Sequence, residues 1–545
     1  MVKYLDNNNS GFNQWRASNP APRRRSFLSS FLWWTLIFVA AWWMVGVFMG
    51  PKKQGADATP DADVVAVENV TPFTVANPDI SFTVRGLRIS DIELLHFDAN
   101  PNATSDGADG AAGAGRVTLL PSDGDAFVEI GLMSQNTIVP TATTPWKITD
   151  NTMSWRNASG VEFTRDITSS EYVITVTDTV TNRGAMPIML APYAHIVRAG
   201  TNAESGGVYT GMIAYANNDV EHESWRALSK KAFAYTTTNG FIGFADQYWE
   251  TVASIDRPDQ TMRAKQSGEM YHADTAAGAV TVAPGATTQI VSHIFAGPRD
   301  QSILNAASAS IHGLDRTVDY GWFWFLARPM LWVLNMIYDI VMNYGIAIIV
   351  MTILLRLLMW PLTRKSYVSM IAMQKMQPEM ARIQKLYAND KARLQIEMMK
   401  LYQSHKTSPM SGCLPMLLQI PIFFALYKAL LISVPMRGAH FLWIRDLAAM
   451  DPYFILPILM GATMWLQSRL QSPAKQSANA NDAAAQTQKM MRWMPVLFTV
   501  LFAWMPAGLV LYWTVSNLFG IGQMYVIKYR GKRKEPPALA PHIHG

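Results

Sequence analysis

Apolar and polar positions divide this chain into three textures. Arg23, Arg24 and Arg25 close a polar start, and residues 26–50 (SFLSSFLWWTLIFVAAWWMVGVFMG) then run without a charge. A stretch of that length spans about 30 Å of hydrocarbon. It exceeds a signal-peptide core of roughly 7–15 residues, and it ends in the bulky Val47, Phe48 and Met49 instead of a small-residue cleavage site. The pattern predicts an uncleaved transmembrane signal anchor over 26–50, behind a cytoplasmic N-tail over 1–25.

Residues 51–80 form a linker rich in Ala, Asp, Pro and Val. The period then changes to two. Alternating or β-branched segments occur at 81–84, 116–120, 172–180, 207–215, 279–282 and 293–295, separated by turn residues such as Ser122-Asp123-Gly124-Asp125. Many short strands with no long helical pattern predict a large exported all-β sandwich over 81–319. Its Asp-Gly segments, including 106–110, lack the full ligand spacing of a calcium loop. The Asn157-Ala158-Ser159 sequon reads as chance.

The third texture is helical. Residues 320–336 are aromatic, with one charge at Arg328 before Pro329, the composition of an interfacial amphipathic helix. A second transmembrane span is predicted over 337–362. Spans three to six fall within 412–527, at 413–434, 452–468, 493–505 and 507–527. Residues 363–411 hold nine Lys/Arg against three Asp/Glu. Met370, Met373, Met376, Met380 and Ile383, then Leu394, Met398 and Leu401, fall at helical spacing on either side of Ala388-Asn389-Asp390. This predicts a basic cytoplasmic helical hairpin with a Met-rich face, kinked at Pro378. A basic cytoplasmic tail, 528–545, ends the chain. With the N-tail inside, six spans return the C-terminus to the cytoplasm, and the main basic clusters fall on that side. The fourth and fifth spans are short, about 26 and 20 Å against about 30 Å of hydrocarbon, which implies a thinned bilayer.

Arg356 stands out in the second span. Ile353, Leu354, Leu355, Leu357 and Leu358 surround a side chain that stays charged at any accessible pH. In hydrocarbon that charge costs on the order of 3 kcal/mol or more. Two readings stay open: a wet cavity that uses the charge, or the bland one of snorkelling toward the Arg364–Lys365 boundary or a structural ion pair. Away from span edges the C-terminal spans hold one other ionisable residue, Lys428, near enough to the outer end to snorkel. No buried carboxylate relays protons, and neither HExxH nor GxSxG occurs. No catalytic residue, metal or cofactor is expected. Thr352, Gln419, Gln467, Trp513 and Asn517 are the uncharged candidates for a groove beside Arg356.

Composition sharpens the division. The 545 residues are 50% hydrophobic and 16% charged, with 18 Trp and 32 Met, too apolar for an ordinary soluble enzyme of this size. Residues 51–320 hold 18 Lys/Arg against 31 Asp/Glu and the rest 28 against nine, so an acidic exported domain joins a basic membrane part, and no nucleic acid is needed to explain the basicity. One cysteine, Cys413, reads as a packing residue and excludes disulfides.

Four stretches carry a resemblance: TILLRLLMWPLTRKSYVSMIAMQKMQPEM (352–380), GCLPMLLQIPIFFALYKAL (412–430), DPYFILPILMGATMW (451–465) and MPVLFTVLFAWMPAGLVLYWTVSNL (494–518). Over about residues 321–530 the chain resembles the YidC/Oxa/Alb family of membrane protein insertases, and its signal anchor and exported domain look like the Gram-negative type. The resemblance implies a polytopic α-helical membrane protein with a five-helix insertase core around a hydrophilic groove, and a periplasmic β-supersandwich. It puts the groove arginine at Arg356, the threonine at Thr352, the sixth-span aromatic at Trp513 and polar lining at Gln419 and Gln467. A substrate slide falls on Pro421, Ile422, Phe423, Leu497, Leu501 and Phe502. It implies an insertase and folding chaperone of the bacterial inner membrane, acting alone or with the Sec translocon (SecYEG). The partners implied are nascent membrane proteins, membrane lipids, and the ribosome and nascent chain at the cytoplasmic hairpin. Rival readings are a solute transporter, which would need a repeat that is not visible, and a membrane-anchored periplasmic enzyme.

Overall fold

The computed structural model describes residues 70–100, 115–200, 208–387, 390–405, 414–471 and 483–532. The expected N-tail and signal anchor, the linker up to residue 69, the 472–482 loop and the tail beyond 532 lie outside the described residues, as do 106–110, Gly207 and Cys413. Residues 55–473 and 496–545 form one compact unit, and the described part of the other is 483–495.

Strands form where the sequence alternates. Ile80–Arg85 and Val173–Asn182 place buried side chains at every second position. Of nineteen strands among the described residues, ten make one antiparallel sheet, whose main path runs from Phe73–Ala76 to Phe233–Thr237. Nine make the other, from Asp219–Ser224 to Lys147–Thr149. Phe82, Ile92 and Ile130 of the first sheet and Ile174, Phe244 and Phe295 of the second are buried in one shared core. Strands begin at Phe73, earlier than the expected start at residue 81, because Phe73–Ala76 pairs with Ser81–Val84. Asn157 of the sequon is a turn lock: its Nδ2 donates to Thr137 Oγ1 and the Ile138 carbonyl, and its Oδ1 accepts from the Val161 N–H.

A buried charge pair lies where the sheets give way to helices. The Glu250 carboxylate sits 3.2 Å from Arg299 Nε and accepts from Thr317 Oγ1 at 3.0 Å. Burial raises the Glu250 carboxyl to about 7, a shift that Arg299 and Thr317 oppose without cancelling.

Helix α1 (Trp324–Val341) exposes Trp324, Phe325, Trp332 and Ile340 and buries Ala327, Met330, Leu334 and Ile337, so one face packs inward and an apolar face is left outward. It runs past the expected boundary at residue 336. Met342, in the left-handed conformation at φ 53°, stops it. Asn343 then caps α2 (Tyr344–Leu358) by accepting from the Ile346 N–H. After a 66° bend the chain continues as α3 (Trp360–Leu386), with Pro361 in the first turn, where its missing N–H costs nothing. The second span expected over 337–362 therefore comprises the end of α1, all of α2 and the start of α3. Helix α3 runs unbroken through Pro378. The predicted break holds, since α4 (Lys391–Ser404) starts from Asp390, whose carboxylate accepts from the Arg393 N–H at 3.0 Å.

Four helices follow: α5 (Leu414–Ile432), α6 (Ile455–Gln471), α7 (Ala483–Phe502) and α8 (Ala507–Lys532). Helix α8 is central, packed along α2 and α6 and touching α3 and α5, with Leu509, Val510 and Tyr512 buried. Leu357, Leu358, Ile458, Val500 and Trp504 are exposed, the kind of apolar surface that marks a membrane or protein contact. Among the described residues no single helix is long and apolar enough to cross a membrane; α2 and α3 pass together as the bent pair.

The sheets and helices are clipped together at the C-terminal end of α5. Lys428 does not end in solvent as snorkelling would have it: its Nζ lies 2.9 Å from Asp319 Oδ2. Burial raises the Asp319 carboxyl, but Lys428 beside it outweighs that and holds it below its ordinary value. Arg437 donates to the carbonyls of Asp98 and Ala99, and Gln247 donates to the Leu431 carbonyl.

Candidate functional site: a polar seam around Arg356

Arg356 lies in the last turn of α2 and reaches α8. Its Nε donates to Ser516 Oγ at 2.7 Å and its Nη2 donates to the same oxygen. Among the described residues no carboxylate lies within ion-pair distance of it. A structural ion pair, one form of the second open reading, thus finds no partner there. Ser516 is hydrogen-bonded to Tyr512 one turn earlier, and Gln419 of α5 donates to the Tyr512 hydroxyl. Gln419, Tyr512, Ser516 and Arg356 thereby form a chain of polar contacts from α5 through α8 to α2.

A second arm continues beyond the guanidinium. Tyr367 of α3 lies within the field of Arg356 and is hydrogen-bonded to Gln467 of α6. Both crowd Gly520, where an added Cβ would meet Gln467 Nε2 at 3.1 Å and the Tyr367 hydroxyl at 3.3 Å. Glycine there lets the arm lie against α8. Gln419, Gln467 and Arg356 are half-buried, so the seam is polar, shared by five helices and not sealed.

Three of the expected groove residues sit elsewhere. Thr352 is fully buried and donates to the Ile348 carbonyl of its own helix at 2.6 Å. Asn517 is buried and donates to Thr463 Oγ1 at 3.3 Å, tying α8 to α6. Trp513 packs on another face of α8, with its ring centroid 5.2 Å from Phe423, 5.1 Å from Phe502 and 6.0 Å from Phe498. Of the expected slide, Phe423 of α5 and Phe502 of α7 meet at 5.8 Å. Leu497 and Leu501 are exposed on α7, and Pro421 and Ile422 are half-buried on α5. Sequence reasoning missed Tyr512, Ser516 and Tyr367. The signal available was a pair of hydroxyls one helical turn apart in an apolar span.

The seam supplies one fixed positive charge, several neutral donors and acceptors, and no nucleophile–base pair. Among the described residues no cluster of His, Cys, Asp and Glu is set to hold a metal.

Residues 336–534 match the family described as 60Kd inner membrane protein, and residues 73–333 match the YidC periplasmic domain. Proteins called membrane protein insertase YidC are 38% identical in Magnetococcus marinus (68% of this chain, 67% of that one), 36% in Shewanella amazonensis (84% and 79%) and 31% in Nitrobacter hamburgensis (86% and 85%). Among solved structures, a galactose mutarotase related enzyme from Lactobacillus acidophilus covers 42% of this chain and 97% of its own at 10% identity and a TM-score of 0.29, too low to bear on fold or activity. With a periplasmic β region and a helical region that each match along nearly their whole length, the chain belongs to the YidC family of inner-membrane protein insertases.

Proposed function

We propose that this protein inserts and helps fold transmembrane segments of newly made inner-membrane proteins by drawing their short polar tails into the seam around Arg356. The membrane part is read as six spans with both termini in the cytoplasm, the hairpin of α3 and α4 meeting the ribosome and nascent chain, and the Sec translocon serving as an optional partner. The substrate's apolar segment leaves for lipid along the Phe423–Phe502–Trp513 side of α5 and α7. Apolar burial of about 25 cal/mol per Å² drives the transfer; the seam lowers the barrier for the tail.

One observation carries this reading: Arg356 is held by a hydroxyl, and among the described residues no carboxylate pairs with it. Its charge therefore remains available to a passing anionic group. The test is photo-crosslinking from positions 467 and 423 to a ribosome-bound nascent membrane protein in native vesicles. Adducts to the polar tail from 467 and to the apolar segment from 423 are expected. Absence of substrate adducts at both positions would overturn the reading.

A further inference from the structure

Helix α8 carries one more polar side chain on the seam face. Gln523 follows Ser516 by two helical turns and Gly520 by one, so the three share a face. Gln523 is 3% exposed, and neither its Nε2 nor its Oε1 has a hydrogen-bond partner among the described residues. Natural interiors rarely keep such a group, and each instance calls for an explanation. One turn earlier on this face, the side chains that lie against Gly520, Gln467 and Tyr367, are themselves polar. Gln523 is thus the one seam-face amide without a partner among the described residues, one turn beyond groups that already handle hydrogen bonds.

Resting on the insertase reading, we propose that Gln523 binds the main chain of the substrate's translocating tail. A primary amide offers an N–H donor and a carbonyl acceptor side by side, the complement of a peptide unit. It would pair with the backbone of any tail, whatever its side chains. Arg356 then favours anionic tails, while Gln523 grips all tails that present an N–H. The combination explains how one groove serves tails of differing sequence without losing a preference for charge.

The test uses the full-length protein in phosphatidylethanolamine–phosphatidylglycerol vesicles and a single-span substrate with three tails: Ser/Gly, Asp-containing, and proline-rich, the last lacking most N–H donors. Gln523→Leu should slow insertion about five- to thirtyfold on the first two tails, the range for losing one or two hydrogen bonds. It should slow the proline-rich tail least, because proline keeps its carbonyl for the amide N–H but offers no N–H to the amide oxygen. The thermal midpoint should hold or rise, since an unpaired amide leaves the interior. Gln523→Met, closer in shape, should behave alike. Wild-type rates on every tail, an equal loss on all three, or failure of both variants to fold would each overturn the proposal. Arg356→Ala, run in parallel, separates the two ideas. If it slows acidic tails while Gln523→Leu does nothing, only main-chain binding falls; if it too does nothing, the seam itself is not the groove.

Discussion

Replacing Arg356 by alanine removes the seam's one fixed charge while leaving Ser516, Tyr512 and Gln419 in place. The size of the effect follows from where an incoming carboxylate can sit. With Nε and Nη2 engaged by Ser516, the approach is to the remaining N–H groups, and a charge separation of about 6 Å is realistic for a hydrated contact. Coulomb's law then gives about 0.7 kcal/mol in bulk-water dielectric and about 2.8 kcal/mol at an effective value of 20. Those limits correspond to about a threefold and about a hundredfold slower capture of a singly acidic tail. The assay is insertion of a single-span substrate into vesicles, followed by protease protection, with tails carrying zero, one or two aspartates. Arg356→Ala should lose most on the doubly acidic tail and least on the neutral one, and Arg356→Lys should recover much of the difference. Raising salt well above 0.15 M, where the screening length is about 8 Å, should narrow the wild-type preference and barely change the variant. Equal loss on all three tails would refute electrostatic capture.

Two further predictions concern the region where sheets meet helices. Asp319→Asn or Lys428→Met breaks a half-buried pair and should cost about 0.5–1.5 kcal/mol, seen as a lower unfolding midpoint in detergent; exchanging the two charges should restore part of it. Because Lys428 holds the Asp319 carboxyl below its ordinary value, that contribution is present above about pH 4 and fades as the carboxyl protonates at lower pH; a pair effect that grows on acidification would contradict it. Glu250 has the opposite sign. Its carboxyl is raised to about 7 by burial, so the folded state holds a proton that the unfolded chain releases near pH 4. Stability should therefore fall by up to about 3 kcal/mol between about pH 4 and pH 7 on this account. Subtracting the Glu250→Gln curve from the wild-type curve isolates the effect, and a flat difference would dismiss it.

Local pattern made much of this structure readable in advance. Alternation at 81–84 and 172–180 marked strands because one face of each lies in the shared core. The break at Ala388-Asn389-Asp390 was readable because Asp390 is a helix cap. Arg356 was readable because a charge in an apolar run demands a reason. What escaped depended on distant partners. Nothing near Lys428 in sequence announces Asp319, and nothing near Arg356 announces Ser516. The apolar run across 337–362 hides the stop at Met342 and the bend after Leu358, since both are set by backbone conformation and not by polarity. Trp513 was named for its place in the sixth span, and its packing against Phe423, Phe498 and Phe502 is set by partners distant in sequence.

The hydroxyl of Ser516 leaves Arg356 with unused valence. A guanidinium has five N–H bonds, and two converge on that single oxygen. On the insertase reading proposed above, a guest hangs from the others and drops away while every link among the helices stays intact, and such a hook resets itself between one passenger and the next.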